Sequence, residues 1–169
     1  QGKITPLLVK FTIPLLFGNI FQLMYNSVDS IIVGQLVGKE ALAAVGTSNP
    51  LMTLAILFVN GMCIGASILM GTQYGAKKMD VLKRQISTTM IAGIVFSIEV
   101  TLFCILFARP LLLLIRVQEE VLPLAVPYLR IVFLGFIFTF IYNFFACTLR
   151  ALGDSTTPLY FLVASSVLN

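Results

Sequence analysis

Hydrophobic residues occupy this chain in long stretches, broken only by short polar connections. Five stretches stand out, at residues 7–37, 45–74, 86–115, 121–152 and from 158 onward. Each complete stretch exceeds the roughly 20 residues that a helix needs to cross a bilayer. None shows the alternation of a barrel strand, and a backbone inside lipid must satisfy its hydrogen bonds within its own segment. The pattern predicts an all-α polytopic membrane protein, with about four complete transmembrane helices and a truncated fifth. Their excess length predicts tilt or protrusion.

The connections carry helix punctuation. Gly153 suits a left-handed C-terminal cap, Thr157 an N-cap and Pro158 a first helical position. Asn49-Pro50 reads as the helical start of the second span. Gly61-x-x-x-Gly65 in that span reads as a surface for close helix contact.

Composition agrees with a membrane class. Hydrophobic residues make up 59% and charged residues 11% of the chain, against about 45–50% and about 25% in soluble domains. The net charge of +4 does not point to nucleic acid, because the bases sit at the ends of apolar runs. They serve as topology signals. Lys3, Lys10, Lys77, Lys78, Lys83, Arg84 and Arg150 fall on one side; Lys39, Arg109 and Arg116 fall on the other. Seven against three predicts a cytoplasmic N-terminus in the cell (inner) membrane. The chain begins at Gln1 and stops at Asn169 within an apolar run, which reads as a fragment of a longer protein. The first run is too long and too polar for a signal peptide.

The polar residues inside the spans are candidates for chemistry. Asn19, Gln22, Asn26 and Asp29 follow one another at intervals of three, four and three, which places them on one helical face. An intramembrane carboxylate costs about 2.5–3.5 kcal/mol on insertion scales and normally faces a bundle interior or wet cavity. Low polarity around Asp29 favours its neutral, protonated form. The same carboxylate, with oxygens from Gln22 or Asn26, suits a hard cation such as sodium. Asn60, with Thr53 and Ser67, marks one face of the second span. In the fourth, Thr139, Asn143 and Arg150 share a face beside Cys147, where Asn143 either lines a cavity or bonds another helix. Glu99 lacks a polar face, and an ion pair with Arg130 is its expected role.

Cys63, Cys104 and Cys147 lie within apolar runs without metal-ligand spacing, and read as small buried hydrophobes. The chain has no histidine, phosphate-binding glycine loop or nucleophile elbow. No enzyme and no cofactor are expected.

Two motifs carry a family resemblance. Val28-Asp29-Ser30-Ile31-Ile32-Val33-Gly34-Gln35-Leu36 resembles the first-helix signature of the multidrug and toxic compound extrusion (MATE) family. Arg150-Ala151-Leu152-Gly153-Asp154-Ser155-Thr156-Thr157-Pro158 resembles that family's signature after its fourth helix. Val37 departs from the pattern by intervening before Gly38. The resemblance implies part of a six-helix N-terminal lobe in a twelve-helix transporter. It implies export of organic cations against a proton or sodium gradient, with Asp29 as the cation-coupling residue. By the same resemblance Gln22, Tyr128 and Asn143 match cavity positions. Asn169 matches the start of a fifth-helix motif, and Pro14 matches a first-helix proline linked to bending. The expected partners are a small organic cation and the lipid bilayer. A lipid-linked saccharide flippase of related fold and a non-transporting membrane scaffold are the alternatives.

Overall fold

The computed structural model describes residues 4–32, 34–35 and 38–168, and the side chains of 4–7, 10, 29 and 166–168 fall outside that description. The described residues form seven helices: α1 (Ile4–Ile32), α2 (Lys39–Gly75), α3 (Met79–Leu106), α4 (Ala108–Leu114), α5 (Leu122–Leu134), α6 (Phe136–Ala151) and α7 (Thr156–Leu168). Among the described residues, α2 and α3 are each long and apolar enough to cross a membrane, and α5 with α6 form an apolar pair bent by 43°. At about 1.5 Å per residue, the 37 residues of α2 outreach the roughly 30 Å hydrocarbon layer.

Three expectations about helix boundaries change. Pro50 lies inside α2 rather than at its start; membrane helices tolerate an internal proline when neighbouring groups satisfy the freed carbonyl. The stretch 86–115 is divided between α3 and α4. Pro110 has no N–H to bond the Leu106 carbonyl, so α3 ends at Leu106. The stretch 121–152 breaks at Gly135. Near that break, the buried Thr101 hydroxyl of α3 donates to the Phe133 carbonyl at 3.0 Å. It supplies a partner where the helical ladder is interrupted.

The core lies where α2, α3, α5 and α6 meet. Phe133, Phe136, Phe140 and Phe144 recur at three- and four-residue steps and stack along one side of the bent pair, with centroids 5.6 Å apart for Phe133–Phe136 and 5.8 Å for Phe140–Phe144. Val59, Cys63 and Met70 of α2 are buried with them, and the Thr148 hydroxyl donates to the Met70 sulfur at 3.7 Å. Gly93 of α3 admits the Phe140 ring into the space a side chain would take. Among the described residues, a Cβ on Gly61 or Gly65 meets nothing within 4 Å, so the close contact their spacing suggested is not made within this chain. α1 packs against α7 instead of this core. Its exposed residues include Phe17, Ile20, Leu23 and Met24.

Helices α2, α4 and α6 end in the same hydrogen-bonded turn. The amides of Lys78, Val117 and Asp154 reach back to the carbonyls of Gln73, Leu112 and Leu149 at 3.0, 3.1 and 2.9 Å. This arrangement needs a left-handed residue in the turn. Gly153 (φ 93°) supplies it after α6, as its sequence predicts, while Lys77 (φ 57°) and Arg116 (φ 58°) do so elsewhere. A side chain is disfavoured there by about 1–2 kcal/mol. Lys77→Gly is therefore expected to raise stability by about 1 kcal/mol, read as a higher Tm. A lower Tm would mean that the lysine side chain contributes more than its backbone strain costs.

The α7 cap differs from expectation. The helix starts at Thr156, so Thr157 lies in its first turn and Pro158 is its third residue. Asp154 is the capping group: one carboxylate oxygen accepts the Thr156 and Thr157 amides at 3.0 Å each, and the other accepts the Thr157 hydroxyl at 2.6 Å. The Thr157 hydroxyl first, and then the two amides, hold its carboxyl below the ordinary 3.8. A depressed folded value means the capping contribution is complete above 3.8 and disappears as pH falls through the lower folded value. The Tm gap between wild type and Asp154→Ala should thus narrow below pH 3.8; a gap constant through acid would remove the carboxylate from the cap.

Candidate functional site

A cavity of about 550 Å³ opens between the α1–α7 pair and the α2–α6 wall. From α1 it is lined by Pro14, Gly18, Asn19 and Gln22, and from α2 by Ile56, Asn60 and Ile64. The α6 wall presents Thr139, Tyr142, Asn143, Cys147 and Arg150. Ser155, Pro158, Leu159, Leu162 and Ser165 close the remaining side, at and within α7.

The local sequence explains this placement. On α6 the large rings Phe140 and Phe144 turn into the core, which leaves the face of Thr139, Asn143 and Arg150 toward the cavity. On α2 the buried Val59 and Cys63 take the core side, and their neighbour Asn60 faces the cavity. On α1, Gly18 faces α7, where a Cβ would make ordinary contact with Leu159 at 3.7 Å and Leu162 at 3.8 Å.

The arrangement therefore gathers the amides Asn19, Gln22, Asn60 and Asn143, together with hydroxyls, from four helices. Asn143 donates through its amide nitrogen to the Thr139 carbonyl at 2.8 Å. Its oxygen is then presented as an acceptor. Polar groups set among apolar walls are the usual composition of a small-molecule site.

Among the residues singled out from the sequence, Pro14, Asn19, Gln22, Asn60, Thr139, Asn143, Cys147 and Arg150 line this cavity. Asn26 is exposed on α1 outside the lining, and its carbonyl accepts the Ser30 hydroxyl at 2.8 Å. Tyr128 lies on α5, beyond the break at Gly135, and is not part of the lining. The Asp29 side chain and Asn169 lie outside the described residues. The α7 side of the cavity was not anticipated, although Pro158, Leu162 and Ser165 recur at helical spacing.

The charges differ from the sequence reading in one respect. Arg150 is the one charged side chain among the described residues of the lining. Arg130 is exposed and donates to the Ile105 carbonyl at 3.1 Å, tying α5 to α3 rather than pairing with Glu99. Among the described residues, no group of three or more His, Cys, Asp or Glu side chains is placed to hold a metal ion.

Similarity to known proteins agrees with this architecture. The chain is 33% identical over its full length to the probable multidrug resistance protein YpnP of Bacillus subtilis, covering 38% of it. It is 36% identical over 159 residues to the probable multidrug resistance protein YoeA of the same organism, covering 94% of this chain and 34% of YoeA. The chain thus spans just over a third of the length of the curated relatives it matches. It also superposes on the solved outward-facing conformation of a multidrug resistance MATE family transporter, with a TM-score of 0.91 and 26% identity, over 99% of this chain and 37% of that one. Matched by the family's own sequence model across residues 14–169, the chain belongs to the MatE family.

Proposed function

We propose that the full-length protein is a secondary active antiporter that exports organic cations or drugs in exchange for protons or sodium. The observation that carries this reading is the polar cavity between α1, α2, α6 and α7, where amides from three of these helices converge. Its volume falls within the range of small-molecule sites, about 300–1,000 Å³. In this reading the chain forms part of a six-helix N-terminal lobe in a twelve-helix transporter, with its N-terminus in the cytoplasm. Gln22 and Asn143 contact the substrate, Pro14 permits α1 to bend, and Asp29 is the coupling carboxylate. Tyr128, Asn26 and Asn169 join the substrate path in other states of the full protein. Uptake of a proton or sodium ion at Asp29 neutralises its charge and shifts the balance between inward- and outward-open states.

The test is efflux of a fluorescent organic cation from cells lacking their own pumps, with the proton and sodium gradients collapsed separately. Efflux that stops with one gradient and survives loss of the other supports the antiporter and identifies its coupling ion. Efflux insensitive to both removes the coupling.

Arg150 favours a second reading. A guanidinium in the cavity wall attracts anions, as a flippase for lipid-linked saccharides requires. If Arg150→Gln improves cation efflux, the arginine merely opposes cationic cargo. If the protein moves no cation but translocates a phosphate-linked saccharide until Arg150 is replaced, the flippase reading takes over.

A further inference from the structure

The seam between α2 and α3 is hollow at two levels. Near the turn that joins the helices, Leu69 and Gln73 of α2 and Arg84, Gln85 and Thr88 of α3 line a groove of about 480 Å³. Farther along, Leu57, Phe58 and Gly61 of α2 and Phe96 of α3 line a second groove of about 600 Å³, where every lining residue is apolar. The two grooves follow one face of each helix. Phe58, Gly61, Gly65, Leu69 and Gln73 recur at steps of three and four, and so do Gln85, Thr89, Ala92 and Phe96. Between the grooves the seam stays open, since a Cβ on Gly61 or Gly65 meets nothing within 4 Å. Leu57, Phe58 and Leu69 are each more than half exposed along it. Gln85 ties the helices together beneath the first groove, donating to the Ala66 carbonyl at 3.5 Å.

The charge at the two ends of α3 differs. Residues 76–85 hold Lys77, Lys78, Lys83 and Arg84 against one acid, Asp80. All four bases are exposed, and Arg84 lines the first groove. Beyond the other end of α3, Arg109 shares its pocket with Glu119. A hollow apolar track that starts at an excess of positive charge is complementary to a molecule with an anionic head and an apolar tail. The length also fits. At about 1.5 Å per residue, the helix rises about 16 Å from Leu69 to Phe58, close to half of the roughly 30 Å hydrocarbon layer. That is the depth one acyl chain occupies.

We propose that this seam binds an anionic phospholipid, with its phosphate at Arg84 and one acyl chain laid past Gly65 and Gly61 to Phe58 and Phe96. The guanidinium fork pairs with two phosphate oxygens, and Lys77, Lys78 and Lys83 add attraction across the headgroup layer. A zwitterionic lipid offers the same chains, but its own cation offsets the phosphate, so the seam selects net negative charge. The site shares no lining residue with the polar cavity, and it stands whatever molecule that cavity carries.

The experiment is native mass spectrometry of purified full-length protein in detergent, with phosphatidylglycerol and phosphatidylcholine added in equal amounts. Wild type should retain phosphatidylglycerol in preference. Arg84→Gln should lower that retention about fivefold, the worth of one base at a membrane surface, while Arg109→Gln should leave it unchanged. Gly65→Leu fills the track and should lower retention by about fivefold or more, because the chain and the new side chain compete for one space. In detergent without added lipid, Gly65→Leu should keep or raise the Tm, since leucine favours the helix. Equal retention of the two lipids, equal effects of Arg84→Gln and Arg109→Gln, or unchanged retention by Gly65→Leu would overturn the proposal. So would a fall in the Tm of Gly65→Leu without lipid, which would give the seam to another segment of the full-length protein.

Discussion

Gly93→Ala is expected to destabilise the protein by about 3 kcal/mol or more, at the upper end of what overpacking costs. The added Cβ would overlap the ring edge of Phe140 and stand 2.9 Å from the Met62 terminal methyl. Met62 can move, being only partly buried. Phe140 cannot: it is fully buried and stacked on Phe144. Since small domains carry only about 5–15 kcal/mol of stability, a loss of this size should appear as a large fall in Tm and in recovered monodisperse protein. Phe140→Leu removes the obstructing edge at its own cost. The double variant should therefore be less destabilised than the sum of the two single changes. An unaltered Tm for Gly93→Ala would mean that α3 and α6 do not approach as closely as described.

The second large effect concerns coupling. Asp29→Asn should lower gradient-driven efflux by about tenfold or more, because an amide takes up neither the proton nor the charge compensation of a bound sodium ion. Asp29 follows Gln22 by seven residues on α1, two helical turns along the same face. Its replacement should therefore spare equilibrium binding of the organic cation to a greater degree than it spares transport. A variant that binds and exports like wild type would place coupling elsewhere. One that loses binding and transport equally would make Asp29 a substrate ligand instead.

The helical class was legible in the sequence because long apolar runs leave the backbone no alternative inside lipid. The polar faces were legible where helical spacing alone decides them, as with Asn19 and Gln22 on α1 and with Thr139, Asn143 and Arg150 on α6. Other features depended on partners that no local pattern names. Tyr128 and Asn143 were paired as cavity positions by resemblance alone, and the break at Gly135 puts them on two helices 43° apart. A single glycine inside an apolar run does not announce such a break. Among the described residues the close glycine contact is made not at Gly61 or Gly65 but at Gly93, whose significance depends on a phenylalanine 47 positions away. That Arg150 lines the cavity while Arg130 bonds the Ile105 carbonyl instead of Glu99 depends on how the bent α5–α6 pair packs. The Asp154 cap was hidden for a different reason. Thr157-Pro158 looks like a helix start, but a carboxylate that accepts three hydrogen bonds satisfies the turn better than one hydroxyl.

The central claim is that the cavity between α1, α2, α6 and α7 binds the transported molecule, and equilibrium binding tests it most directly. A fluorescent organic cation would be titrated into purified full-length protein, wild type and the Asn60→Leu/Asn143→Leu double variant. Loss of two polar contacts, each worth about 0.5–1.5 kcal/mol and more toward a charged ligand, predicts that Kd weakens by roughly ten- to a hundredfold. Both proteins should elute as single monodisperse species. An unchanged Kd in a well-folded double variant would contradict the account and move the binding site off this cavity.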